Sequence, residues 1–156
     1  MDVIKHILYA TDFSPAAGAA WPLAQSLAEK AGATLSVLHV MPQVPEDFRI
    51  PAAIRDAMRE EIRARGEEAY ASLTRGTTLS PDRVALVLVT GVPAAEIVLH
   101  ARAREIDLII MGTHGYAGLT RWLLGSVAQH VIRTASCPVL TVRPVGEEMA
   151  EERGAA

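Results

Sequence analysis

Short apolar runs alternate with helix-spaced apolar stripes from residue 3 to residue 143. Val3–Ala10 is apolar, β-branched and too short for a helix, so it reads as a strand. Thr11–Pro15 breaks the run, with Ser14 suited to an N-cap and Pro15 to the first helical position. Apolar residues at Ala20, Leu23, Ala24, Leu27 and Ala31 then recur at helical spacing, and Gly32 supplies a C-cap. Pro22 conflicts with one continuous helix, because an interior proline removes a hydrogen bond; a bend or a later start is expected there. Thr34–Met41 is a second strand, and Pro42–Pro51 is an irregular proline-containing loop. A second helix runs from Ile54 to about Arg75, with Ile54, Met58, Ile62, Ala69 and Leu73 inward and Glu61 and Arg65 paired on the wet side. After the turn-rich Gly76–Asp82 come a strand at Val84–Thr90, a stop at Gly91, and a helix at Pro93–Arg104. Asp107–Met111 is a fourth strand. Gly112–Gly125 is a glycine-containing loop with a helical turn expected around Leu119–Leu124. Ser126–Ala135 is a helix carrying Val127, Val131 and Ala135 on one stripe. Pro138–Arg143 is the last strand, stopped by Pro144.

The order is β-α-β-α-β-α-β-α-β. The strands are nearly continuous apolar runs, the pattern of parallel strands buried on both faces with helices on each side. The fold class is therefore α/β, with one open parallel sheet in one domain, residues 1–145. The charged segment 146–156 is expected to be a disordered tail. In such sheets a ligand sits beyond the carboxyl ends of the strands, where strand order reverses.

Composition narrows the classes. The chain has 156 residues, of which 50% are hydrophobic and only 4% aromatic, so the core must come from Ala, Val, Leu and Ile. A net charge of −3 without a Lys/Arg cluster gives no support to a nucleic-acid surface. No apolar run approaches the ~20 residues that span a bilayer. The first residues lack a signal-peptide layout, and the single cysteine, Cys137, excludes an internal disulfide framework; a cytoplasmic location is expected.

Three strand ends carry candidate chemistry. Gly112, Gly115 and Gly125, followed by Ser126 at a helix start, suit an anion: a phosphate must approach backbone N–H groups closely, and a Cβ would obstruct it. Each glycine alone would read as a turn; the group of three with Ser126 points to phosphate binding. Asp12 is placed either to accept from ribose hydroxyls or to bond its own backbone in a turn. Val40 and Met111 either sandwich a purine or simply pack at strand ends. There is no G-x-x-x-x-G-K-[ST] loop, no G-x-G-x-x-G after the first strand, no G-x-S-x-G elbow and no metal-ligand cluster. His114 reads as a phosphate contact or spacer rather than a catalyst, since no carboxylate near it in sequence would orient it. Arg121 is either a phosphate contact or solvent-facing, His39 a satisfied core histidine, and Cys137 a small buried residue.

The chain resembles the universal stress protein family over about residues 3–143. The carriers are Gly112-x-x-Gly115-x(9)-Gly125-Ser126, the opening Ala10-Thr11-Asp12-Phe13-Ser14, Gly91-Val92-Pro93, Asp107 to Gly115, and the ending Cys137 to Arg143. The glycine motif is that of the family's ATP-binding branch. The resemblance implies sheet order 3-2-1-4-5 and ATP, with Mg²⁺. It places Asp12 at the ribose, Val40 and Met111 near the adenine, and Gly112, Gly115, Gly125, Ser126 and the Val127 backbone around the phosphates, with Thr11, Thr113 and His114 also among the nucleotide-binding residues. It also implies a homodimer through Val139–Arg143, agreeing with the exposed apolar edge that the strand order would leave. The expected function is a nucleotide-dependent stress-response switch or sensor acting on protein partners. A slow ATPase or phosphotransferase, and a dimeric module that needs no nucleotide, are the alternatives.

Overall fold

Five parallel strands form one sheet in the computed structural model, which describes residues 4–113 and 124–144. They are β1 (His6–Ala10), β2 (Thr34–Met41), β3 (Val84–Thr90), β4 (Leu108–Gly112) and β5 (Val139–Val142), in the spatial order β3-β2-β1-β4-β5. The order is the one the resemblance implied. Register pairs Ala10 with Leu38 on one side and with Met111 on the other, so β1 lies at the centre. His114, Gly115, Arg121, the turn expected at 119–124 and the tail at 146–156 fall outside the described residues, except for Leu124.

Helices cover both faces. On one, Trp21, Ala24 and Ala28 of α2 (Trp21–Ala31) pack on Ile7, Tyr9, Leu35 and Val37, with Tyr70 and Leu73 of α3 (Ala52–Leu73) alongside. On the other, Ile97 and Ala101 of α4 (Pro93–Ala103) and Ala128 and Val131 of α5 (Ser126–Thr134) pack on Leu8, Ala10, Leu38, Ile109 and Met111. Alanine at the helix contacts lets the layers approach closely, which suits a core poor in aromatics.

The proline conflict resolves as a later start. A four-residue helix, α1 (Pro15–Gly18), is capped by Ser14, whose hydroxyl accepts from Ala17 N–H. Then α2 begins anew at Trp21, so Pro22 falls in a first turn where its missing N–H costs nothing. Gly32 ends α2 at φ 68°, left-handed as a C-cap glycine should be. Arg83 closes the same end by donating from Nη2 to Ala28 O (2.7 Å) and Ala33 O (2.8 Å). Arg83→Ala should therefore lower the unfolding free energy by about 1–3 kcal/mol in urea titration, the cost of leaving carbonyls without a charged donor.

One expectation is corrected. Ile54 and Met58 do not face inward: they are 52% and 40% exposed. The first turns of α3 pack against the 42–51 loop instead of the sheet. Arg55 donates to Asp47 O and Ile50 O, and Glu46 ion-pairs with Arg59. The buried position of α3 is Gly66, where a Cβ would come within 3.1 Å of Leu88 Cδ2. A long helix meets the sheet here through a missing side chain, a contact that apolar periodicity does not register.

At the opposite end of the strands, Asp107 accepts from the N–H groups of Lys5 (2.8 Å) and His6 (2.9 Å), joining β1 to β4. These bonds hold its carboxyl below the ordinary carboxylate range. A carboxyl with a lowered folded pKa contributes stability above its unfolded value, about 3.9, and loses it as pH falls through the folded value. Asp107→Asn should flatten the acid limb of a stability–pH profile below about pH 4; an unchanged limb would remove this bond from the acid response.

Candidate functional site

The strand that ends at Ala10 and the strand that ends at Gly112 lie side by side, and their connections leave on different sides. After β1 the chain turns into α1 and α2 and returns to β2; after β4 it goes to α5 and β5. This is the reversal of strand order, and a crevice opens beyond it. Thr11, Asp12, Gly112 and Thr113 all sit on its rim.

The first loop is tightly organised. Thr11 N–H donates to Leu38 O (3.0 Å), its hydroxyl accepts from Phe13 N–H (2.9 Å), and Asp12 Oδ1 accepts from Ser14 N–H (2.9 Å). The turn reading of Asp12 is thus observed. Phe13 is held at φ 60°, a left-handed conformation costly for a bulky residue. Its ring lies 4.8 Å from that of His39.

The second loop is pinned at its ends. Gly125 N–H donates to Thr113 O (2.8 Å), and Thr113 N–H donates to Val142 O (3.0 Å). The first bond sets the start of α5 directly beside the end of β4. Gly125 is the N-cap of α5 at φ −59°, ψ 151°, where any residue fits. Its value lies in the space a side chain would occupy, not in backbone freedom. Gly125 has no side chain with which to cap this helix, and no acidic residue stands in its first turn. A helix start favours an anion through its opening N–H groups, here those of Ser126 and Val127, and through the positive end of its dipole.

Val40 is half-buried on the wall between β2 and α4, and Met111 is 6% exposed within the same cluster. Both are packing residues of the crevice wall, and only Val40 retains substantial exposure. His39 is satisfied, as its place in an apolar strand suggests: Nδ1 lies 3.0 Å from Thr11 O. Cys137 is half-buried, and burial pushes its thiol up, away from reactivity. Of the predicted site residues, Thr11 and Asp12 follow β1, Val40 lies near the end of β2, Met111 and Gly112 end β4 with Thr113 after them, and Gly125, Ser126 and Val127 open α5. His114 and Gly115 lie outside the described residues. Among the described residues no cluster of His, Cys, Asp and Glu could hold a metal, and no helix is long and apolar enough to cross a membrane.

A feature that apolar patterning does not reveal is the unequal length of pairing along β2. It pairs with β1 only to Leu38 but with β3 as far as Met41 and Thr90. The last turn of β2 therefore borders the crevice on its β1 side.

Comparison with known proteins gives a consistent answer. The model of the Universal stress protein family matches residues 4–143. Universal stress protein MJ0531 of Methanocaldococcus jannaschii is 34% identical over 148 residues, covering 94% of this chain and 86% of that protein. Among solved structures, MJ0577 of the same organism superposes with a TM-score of 0.78 at 28% identity, covering 93% of this chain and 99% of that one. A universal stress protein from Archaeoglobus fulgidus in complex with dAMP shares the fold, with a TM-score of 0.61 at 23% identity and coverage of 91% and 100%.

Proposed function

This chain belongs to the universal stress protein family, and from that premise we propose that it binds ATP, with Mg²⁺, in the crevice between β1 and β4. The observation that carries the reading is the start of α5 at Gly125, fastened beside the end of β4 by the Gly125–Thr113 bond. Ser126 and Val127 offer backbone N–H groups to the phosphates, Gly112, Gly115 and Gly125 leave room for them, and Thr113 and His114 flank them. Asp12 and Thr11 face the ribose. The base lies toward Val40, with Met111 behind it. A protein of the same fold, from A. fulgidus, is found with dAMP, which supports an adenine nucleotide as the ligand.

The function is regulatory. The sequence has no Walker lysine, which suits the cradle to holding a nucleotide rather than turning it over. ATP bound at the 112–126 segment changes a surface that protein partners read in a stress response. The protein acts as a homodimer. Bonds from Ile109 N–H to Pro138 O and from Thr113 N–H to Val142 O show that even-numbered residues of β5 face β4. Val139, Thr141 and Arg143 therefore direct their backbone groups to the open edge, which a second copy would pair.

The direct test is to denature freshly purified protein and identify any released nucleotide. Release of ATP or ADP supports the reading. Protein that releases none and also fails to bind Mg²⁺-ATP on titration contradicts it.

A further inference from the structure

The β2 strand alternates the sides to which its backbone bonds. Thr34 N–H donates to Lys5 O on the β1 side, whereas Leu35 N–H donates to Arg83 O on the β3 side. Even-numbered residues therefore face β1, and Leu38 does so again by accepting from Thr11 N–H. The next even residue is Val40. In a continued ladder its N–H would donate to Thr11 O. Instead Thr11 O receives the Nδ1–H of His39, at 3.0 Å. A carbonyl only accepts, so this bond fixes the Nδ1–H tautomer. The imidazole is itself held in place. The Phe13 ring packs against it, tilted by 44° with centroids 4.8 Å apart, and the side-chain-free surface of Gly66 lies against its other edge, where a Cβ would come within 3.6 Å of His39 Cδ2.

We propose that His39 is a positioning residue: by taking the Thr11 carbonyl it ends the β1–β2 ladder one step early, leaving the Val40 N–H and C=O for the edge of the nucleotide base. The inference rests on the adenine-nucleotide reading for its ligand but not for its geometry. A base with an adjacent donor and acceptor, such as adenine, fits a backbone N–H and C=O presented together. His39 thus links the strained turn at Phe13 to the base-reading edge, and the left-handed Phe13 is tolerated because it locks that imidazole.

Three measurements test it. In ligand-free protein the ¹⁵N shifts of His39 should show Nδ1 protonated; an Nε2–H tautomer overturns the proposal without any variant. In His39→Leu, Val40 N–H should close onto Thr11 O, so that its amide exchange slows about tenfold or more. ATP affinity should then fall about tenfold or more, while affinity for inorganic tripolyphosphate stays unchanged, because only base recognition is lost. His39→Asn, whose amide N–H stands near the place of Nδ1–H, should restore both. Unchanged ATP affinity and Val40 exchange in His39→Leu would overturn the role while leaving the nucleotide reading intact. If the unaltered protein binds no ATP, that reading fails, and the tautomer and the Val40 exchange still decide what His39 does.

Discussion

Gly125→Val lowers ATP affinity by about 100-fold or more, near 3 kcal/mol, with little change in melting temperature. The position makes this separation of effects possible. Gly125 adopts φ −59°, ψ 151°, a conformation that valine accepts without strain, and its N–H to Thr113 O bond survives the substitution. What changes is the space over the first turn of α5. Two methyl groups would stand where the phosphates must approach the N–H groups of Ser126 and Val127, and distance weakens those bonds steeply. The dimer should be untouched, since β5 lies on the far side of β4 from β1. Gly115→Val should act in the same direction. Titration calorimetry with Mg²⁺-ATP, beside thermal unfolding of the same samples, reads both effects. Unaltered affinity in Gly125→Val would place the phosphates elsewhere.

Thr141→Pro converts the dimer to a monomer. Thr141 is the odd-numbered residue at the centre of the exposed edge, so its N–H points away from β4. Proline removes that donor and puts a ring in the path of an incoming strand, while the inward bonds of Leu140 and Val142 persist. Sedimentation or light scattering at matched concentration should show the mass halved with the circular dichroism spectrum retained. A variant that remains dimeric would assign association to another surface. A wild-type protein that is monomeric at high concentration would contradict the dimer itself.

Much of this molecule could be read from its residues, because the strands are buried on both faces and carry their own signature. The runs at 34–41 and 84–90 coincide with β2 and β3, and Gly32 caps α2 as expected. The place of the crevice followed from strand order, since parallel topology puts the ends of β1 and β4, Ala10 and Met111, side by side although they are far apart in sequence. Local stripes failed where another segment supplied the contact. The loop at 42–51, bound through Arg55 and Glu46, displaced the first turns of α3 from the sheet, and Gly66 marks a contact made by lacking a side chain. His39 was legible only as a satisfied histidine. That its partner is the carbonyl which should have continued a β-ladder depends on register, and register is set by packing across the whole sheet.

The central claim is that the start of α5 and the end of β4 together hold the phosphates of an adenine nucleotide. Its most direct test is an ATP titration followed by the backbone ¹H–¹⁵N shifts of the folded protein in Mg²⁺ buffer. The amides of Gly112, Thr113, Ser126 and Val127 should move most, with Thr11, Asp12 and Val40 next and the β3–α4 side of the sheet still. Shifts confined to other residues, or a spectrum that ATP does not change, would contradict it.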